Sequence, residues 1–246
     1  MLSSSIRLAV FEIQKRSLNT YAGWTWSLMN PIAQMAIIYF IMTHVFKSNV
    51  ENIELWLISG LTSWIIIQSA ILRTCLSLVS RRALMLNNNI SPVLLVFADV
   101  LSEAFILAPF YLIGIAVAIF TGVSLENLIF IPILFLLIIV FLLGVGLILA
   151  VATPFFRDLP YLMGIGMQIA FWLTPIAYAK STLGGFAVRL VEINPFTYFI
   201  LLSQDIFLGN DLTLKAFIIP TIISGVAIVL GCLLAKTVGN KTVMNL

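Results

Sequence analysis

Leu128-Ile-Phe-Ile-Pro-Ile-Leu-Phe-Leu-Leu-Ile-Ile-Val-Phe-Leu-Leu-Gly-Val-Gly-Leu-Ile-Leu-Ala-Val-Ala152 runs for 25 residues without one charged side chain. As an α-helix it would extend about 37 Å, more than the roughly 30 Å of a bilayer's hydrocarbon. Its apolar residues do not alternate with polar ones, so it is no strand of a membrane barrel. Five further stretches read the same way: Leu28 to Phe46, Leu55 to Leu72, Val100 to Phe120, Tyr161 to Ala179 and Ala216 to Ala235. The expected fold is an all-α integral membrane domain covering residues 1–246, with six transmembrane helices.

The composition of the whole chain agrees. Of its 246 residues 61% are hydrophobic and 9% charged, against about 25% charged in a soluble domain. A mean hydropathy of +1.13 leaves too little polar surface to coat a globule in water. A soluble enzyme, a disordered chain, a collagenous repeat and a disulfide scaffold are excluded together. Cys75 and Cys232 read as small buried apolar groups. The net charge of +3 is modest, and no nucleic-acid partner is expected.

Basic residues orient the spans, because lysine and arginine are retained on the cytoplasmic side. With the N-terminus inside, Arg7, Lys15, Arg16, Arg73, Arg81, Arg82, Arg157, Lys236 and Lys241 fall in cytoplasmic segments, nine of the 13 basic residues. Lys47, Lys180, Arg189 and Lys215 fall outside, so both termini are expected in the cytoplasm. Residues 1–27 are no cleavable signal, since Glu12, Lys15 and Arg16 interrupt any apolar core. Ile6, Val10 and Ile13 share one helical side, which suits a helix lying in the headgroup layer ahead of Tyr21, Trp24 and Trp26.

Two connections stand out. Residues 75–93 are too polar to span yet long enough for a short cytoplasmic helix of two or three turns. Between Lys180 and Lys215, the apolar stretch from Phe196 to Leu208 is too short to cross. It reads as a re-entrant or interfacial helix, with Pro195 in its first turn.

The chemistry is sparse. No G-x-x-x-x-G-K-[ST] run exists; Gly239-Asn-Lys-Thr242 lacks the glycine before lysine that a phosphate cradle requires. With His44 as the single histidine, a multi-histidine metal centre is impossible. His44 suits an interfacial role. Asp99 and Glu103 stand one turn apart on one helical face, where their repulsion calls for a cation or water, and Arg73 and Arg157 are the expected partners; the alternative is that all four reach into the headgroups. Tyr39, Trp64, Tyr111, Phe171 and Trp172 lie inside spans, where aromatic faces suit sliding sugar rings, or else lipid and helix packing. Gly114, Ala118 and Gly122 form a small-residue ridge that suits close packing on another span or another subunit.

The run from Leu18 to Pro31, Phe155-Phe-Arg-Asp-Leu159, Trp172-Leu-Thr-Pro-Ile-Ala-Tyr178, Asn194-Pro-Phe196 and Phe207-Leu-Gly209 together resemble the permease subunits of polysaccharide-export ABC transporters. The nearest likeness is to O-antigen (lipopolysaccharide) and capsule exporters, with teichoic-acid exporters close behind. The resemblance implies a homodimer in the bacterial cytoplasmic (inner) membrane. Each copy would pair with a separate ATP-binding subunit, which carries the ATP and magnesium, so this chain holds no cofactor. It would place ATPase coupling around Arg81, Arg82, Leu84 and Met85. Arg157 and Asp158 match the family's charged corner, which with Arg73, Asp99 and Glu103 makes a set of charged gate candidates. The outer gate would hold Asn194, Pro195, Phe196, Tyr198 and Phe199, and a lipid-linked polysaccharide would thread the dimer interface. An exporter of a drug or small lipid shares this architecture. A membrane-embedded lipid-sugar transferase or a non-transporting assembly subunit fits less of it.

Overall fold

The computed structural model describes residues 10, 11, 14, 25–46, 52–83, 85 and 91–245. Of the interfacial helix expected before Tyr21, only Val10, Phe11 and Gln14 are among them. Arg7, Lys15, Arg16, Tyr21, Trp24, Lys47, Leu84 and residues 86–90 lie outside the described residues.

Among the described residues, α-helices with given bounds follow in this order: α1 Thr25–Phe40, α2 Ile53–Cys75, α3 Ser77–Ser80, α4 Pro92–Leu107, α5 Pro109–Thr121, α6 Ile131–Ala152, α7 Leu159–Leu173, α8 Phe186–Ile193, α9 Pro195–Leu208 and α10 Leu214–Asn245. A π-helical turn, Ile41–Val45, extends α1, and a 3₁₀ turn, Glu126–Phe130, leads into α6. Among the described residues there is no strand.

Among the described residues, four helical stretches are long and apolar enough to cross a bilayer: Ile53–Cys75, Pro92–Thr121, Glu126–Ala152 and Leu214–Thr237. The protein is therefore a multi-pass helical membrane protein. Two of the expected spans are shorter. The apolar part of α1 with its π turn, Pro31–Val45, and α7, Leu159–Leu173, each reach only about 22 Å at 1.5 Å per residue.

Proline accounts for the boundaries that differ from expectation. The fifth stretch was expected to run to Ala179, but α7 stops at Leu173 because Thr174 precedes Pro175 and is driven to an extended conformation, φ −100° and ψ 134°. The third begins at Pro92 and not at Val100, since the Ser91 hydroxyl accepts from the Leu94 amide and Pro92 needs no amide donor in the first turn. The connection thereby shortens, and its described residues hold the single turn α3 and further helical residues at Arg82, Ala83 and Met85.

The axis of the bundle is α2. Most of its length is buried, including Ser59, Thr62, Ser63 and Thr74, and α4, α5, α6 and α9 pack around it. Against α6 lies α10 at very close range. A Cβ built on Gly144 would sit 2.2 Å from the Ala227 carbonyl carbon, and one on Gly231 would sit 2.4 Å from the Gly144 oxygen. In a membrane such backbone approach is what holds helices together, because lipid offers no hydrophobic reason to leave it. The Gly114 ridge packs within the chain: Gly114 faces the Phe207 ring of α9, Ala118 is buried, and Gly122 ends α5 in the left-handed region, φ +72°. Cys75 is buried as expected, whereas Cys232 is exposed on the outer face of α10. His44 stacks on Phe40 at 4.8 Å, with Thr43 Oγ1 2.7 Å from its Nδ1.

Candidate functional site

At one end of the bundle three elements bring charge together. Arg73 ends α2, Arg81 follows α3, and Asp99 and Glu103 stand a turn apart on α4. Asp99 has no exposed surface. Arg73 Nε donates to its Oδ1 at 2.9 Å, Arg81 Nη1 to its Oδ2 at 2.8 Å, and Arg81 Nη2 to its Oδ1 at 2.5 Å. Arg73 Nη1 also lies 3.5 Å from Glu103 Oε1. Two guanidinium groups thus neutralise two carboxylates, and the planar fork of Arg81 meets Asp99 on both oxygens, a geometry lysine cannot copy. Arg73 is the partner expected for the acids. Arg157 is not: it stands exposed beside exposed Asp158 in the corner ahead of α7, and Arg81 takes the place expected for it.

This pairing divides the segment expected to couple to an ATPase. Arg81 points inward to Asp99. Met85, one turn on, is 3% exposed in the core, and its amide donates to the Arg81 carbonyl at 3.2 Å. Arg82 and Ala83 face outward, as do Leu76, Val79 and Ser80 on the preceding turn. The outcome is a small mixed surface, part apolar and part basic, whose backbone is bolted to α4 from behind.

A second polar cluster gathers where α7 breaks. The carbonyls after the break have lost helical partners and would be costly if left unpaired. Side chains from two elements supply them: Trp56 Nε1 of α2 donates to the Ile176 oxygen at 2.9 Å, and Gln204 Nε2 of α9 to the Pro175 oxygen at 3.1 Å. Asn194, between α8 and α9, donates Nδ2 to Thr174 Oγ1 at 2.8 Å and accepts from the Phe196 amide at 3.1 Å, capping α9 just ahead of Pro195. Helices α8 and α9 meet there at 90°. Thr197 Oγ1 and the Tyr198 hydroxyl close the corner by donating to the Val191 and Glu192 carbonyls. Ion-paired Lys180 and Glu192 lie on its outer surface. Phe199 is fully buried beneath it. Sequence reasoning found Asn194 and Pro195 but missed Trp56 and Gln204; a tryptophan and a glutamine inside apolar helices are the signal, since each needs a polar partner away from lipid.

The five aromatic candidates separate. Trp64 has no exposed surface, donates Nε1 to Gln68 Oε1 at 3.0 Å, and sits edge-on to Phe171 and Phe196. Tyr111 is 4% exposed, its hydroxyl 2.9 Å from Ser63 Oγ and its ring stacked on Phe207. Both belong to the core of the single chain. Phe171 is half-buried between that core and Trp172. Tyr39 and Trp172 reach the surface, at 37% and 66% exposure. Helix α7 as a whole is outward-looking: Met167 is its one buried residue, and Tyr161, Leu162, Ile165 and Ile169 are exposed with Trp172.

Among the described residues no three His, Cys, Asp or Glu side chains stand together as metal ligands. What the geometry defines is a helical membrane protein with a buried ion-paired cluster at one end, a polar cluster where α7 breaks, and one apolar helix, α7, with a single buried residue. The chain belongs to the ABC-2 type transporter family, whose profile matches residues 6–208. It is 26% identical over 203 residues to an O-antigen export system permease protein, RfbA, of Klebsiella pneumoniae, covering 82% of this chain and 78% of that one. It is 23% identical over 213 residues to a protein of the same name from Myxococcus xanthus, covering 84% and 81%. This is a transport permease of the ABC-2 class, and the family resemblance read from its motifs holds.

Proposed function

We propose that this chain is the membrane-spanning subunit of an ATP-driven exporter that carries a lipid-linked polysaccharide, an O-antigen or similar surface glycan, across the bacterial cytoplasmic membrane. Two copies work together, each with a separate ATP-binding subunit, and both termini lie in the cytoplasm. The family match over residues 6–208, with relatives named as O-antigen export permeases, is the observation that carries the reading. On it, α1 and α7 count as two further membrane passages, the bilayer thinning to meet their length, and the α8–α9 pair enters and leaves from the outer side.

Force from ATP-driven closure of the partner enters at Leu76, Val79 and Arg82. Arg81 transmits it to α4 through Asp99, and Arg73 to α2. The exposed face of α7 meets the second copy, and the conduit opens as α7 and α1 separate between the copies. Trp172 and Tyr39 offer ring faces that a polymer slides past without a fixed hydrogen-bond pattern. The hinge at Thr174 and Asn194 lets the outer gate turn while α2 stays fixed.

Deleting the chain in its host tests the substrate. Surface glycan should vanish while lipid-linked polymer accumulates inside; unchanged surface glycan with altered drug efflux would assign the chain to small-molecule export. Co-expression with the ATP-binding subunit of its locus should yield a complex with two copies of each.

A further inference from the structure

Away from α7 and from the charged cluster, a cleft of about 530 Å³ opens between α1, α2 and α5. Ile32 to Tyr39, Glu54 to Leu61 and Phe110 to Val117 each contribute seven residues' rise, about 10 Å, to its walls. It is therefore a groove running along the helices, in the direction a lipid chain takes. Its lining is apolar along the length, with Met35, Leu57, Ile58 and Ile113 among the side chains. Polar groups occur at one end alone, where the Tyr39 hydroxyl donates to Glu54 Oε1 at 3.1 Å. Glu54 is half-buried in the first turn of α2, and among the described residues it has no cationic partner.

We propose that this groove is a binding site for a phospholipid with an ammonium headgroup, one acyl chain lying along Ile32, Leu57 and Ile113 and the ammonium meeting Glu54. A hydrocarbon chain is the occupant that matches an apolar trough aligned with the helices. The single carboxylate at one end of the otherwise apolar lining matches one cation at the head of a hydrocarbon chain. The carboxylate selects the headgroup by charge. Held partly out of water, it gains from an ammonium, whose N–H groups donate to it, and it repels a headgroup of net negative charge. Tyr39 fixes the carboxylate rotamer and offers a ring face to the same cation. The site holds a bilayer lipid and not the exported molecule, shares Tyr39 with the proposed path, and tethers α1 to α2.

Native mass spectrometry of the full-length chain in detergent, with dioleoyl phosphatidylethanolamine or dioleoyl phosphatidylglycerol added at equal concentration, reads the site directly. Phosphatidylethanolamine adducts should outnumber phosphatidylglycerol adducts by about tenfold, a factor within reach of one charge-assisted contact. Glu54→Gln should bring the two lipids to parity while keeping both. Ala36→Trp, which fills the trough from an exposed position, should remove both, and Ile113→Trp gives the same reading should the first variant fail to fold. Equal adducts on the unaltered chain, or undiminished adducts on both tryptophan variants, would overturn the proposal. So would a tryptophan variant that breaks an oligomer and leaves lipid binding intact, since the groove would then be covered by a second copy.

Discussion

Arg81 and Asp99 are joined by two hydrogen bonds, Nη1 to Oδ2 at 2.8 Å and Nη2 to Oδ1 at 2.5 Å, across 18 residues of sequence and the turn that separates two membrane helices. Arg82, its neighbour, faces outward. Two adjacent arginines thus have different work. Arg81→Glu leaves Asp99 buried beside a like charge, and breaking such a pair costs about 3–5 kcal/mol. Arg82→Glu changes an exposed group and should alter stability by less than about 0.5 kcal/mol. Thermal unfolding in detergent should therefore drop markedly for the first variant and stay in place for the second. Capture of the ATP-binding subunit should weaken for Arg82→Glu. The exchange Arg81→Asp with Asp99→Arg should regain part of the lost stability; a double variant as unstable as the sum of the singles would show that the two side chains do not act as a pair.

The crossing of α6 and α10 gives a second contrast. Gly144→Ala puts a methyl group against the backbone of Ala227, where nothing flexible can yield. Helix displacement should cost about 1–3 kcal/mol. Gly164 and Gly166 on α7 have open space where a Cβ would stand, and alanine there should raise the stability of the isolated chain by up to about 1 kcal/mol through helix propensity. If α7 meets a second copy, the same substitutions should weaken the dimer in crosslinking; a dimer unaffected by both would move the interface elsewhere.

The four long apolar helices were legible because hydropathy is a property of a window, whereas the site depends on which apolar helix lies innermost, and apolar residues do not say. The polar residues did carry that information. Ser59, Thr62, Ser63 and Gln68 on α2 mark the helix that needs protein and not lipid around it. Thr174-Pro175 marked the break in α7 inside a run that hydropathy alone treats as continuous. Asp99 could be matched with Arg73 from the ends of successive spans. Its pairing with Arg81 required knowing how tightly α3 turns back on α4, which no spacing rule supplies.

Asn194 offers a test of the hinge. Its side chain accepts from the Phe196 amide and donates to Thr174 Oγ1, so Asn194→Asp keeps the helix cap and loses the donor, while Asn194→Ala loses both. The cap is worth about 1 kcal/mol, and alanine should therefore destabilise more than aspartate by roughly that amount. Faster amide exchange at Phe196 and Thr197 should appear for alanine alone. Both variants should change export if the link to Thr174 sets the angle between α7 and α9, and equal export from aspartate and the native residue would reduce Asn194 to a cap.

Trp64 and Trp172 separate packing from conduction. Removing the buried Trp64 ring opens a cavity against Phe171 and Phe196 and strips the partner from Gln68. Burial from lipid makes the transfer part of that loss smaller than in a soluble core, but the cavity remains, and Trp64→Ala should cost roughly 2 kcal/mol or more and lower the amount of chain in the membrane. Trp172, two-thirds exposed on α7, has little to lose in its own fold. Trp172→Ala should insert and unfold like the unaltered chain yet export less glycan per molecule, measured as surface polymer normalised to permease. An unchanged export rate per molecule for Trp172→Ala would take that ring out of the path, and Tyr39→Phe, which keeps the ring and loses only the hydroxyl bond to Glu54, would then separate ring stacking from headgroup contact at the remaining exposed candidate.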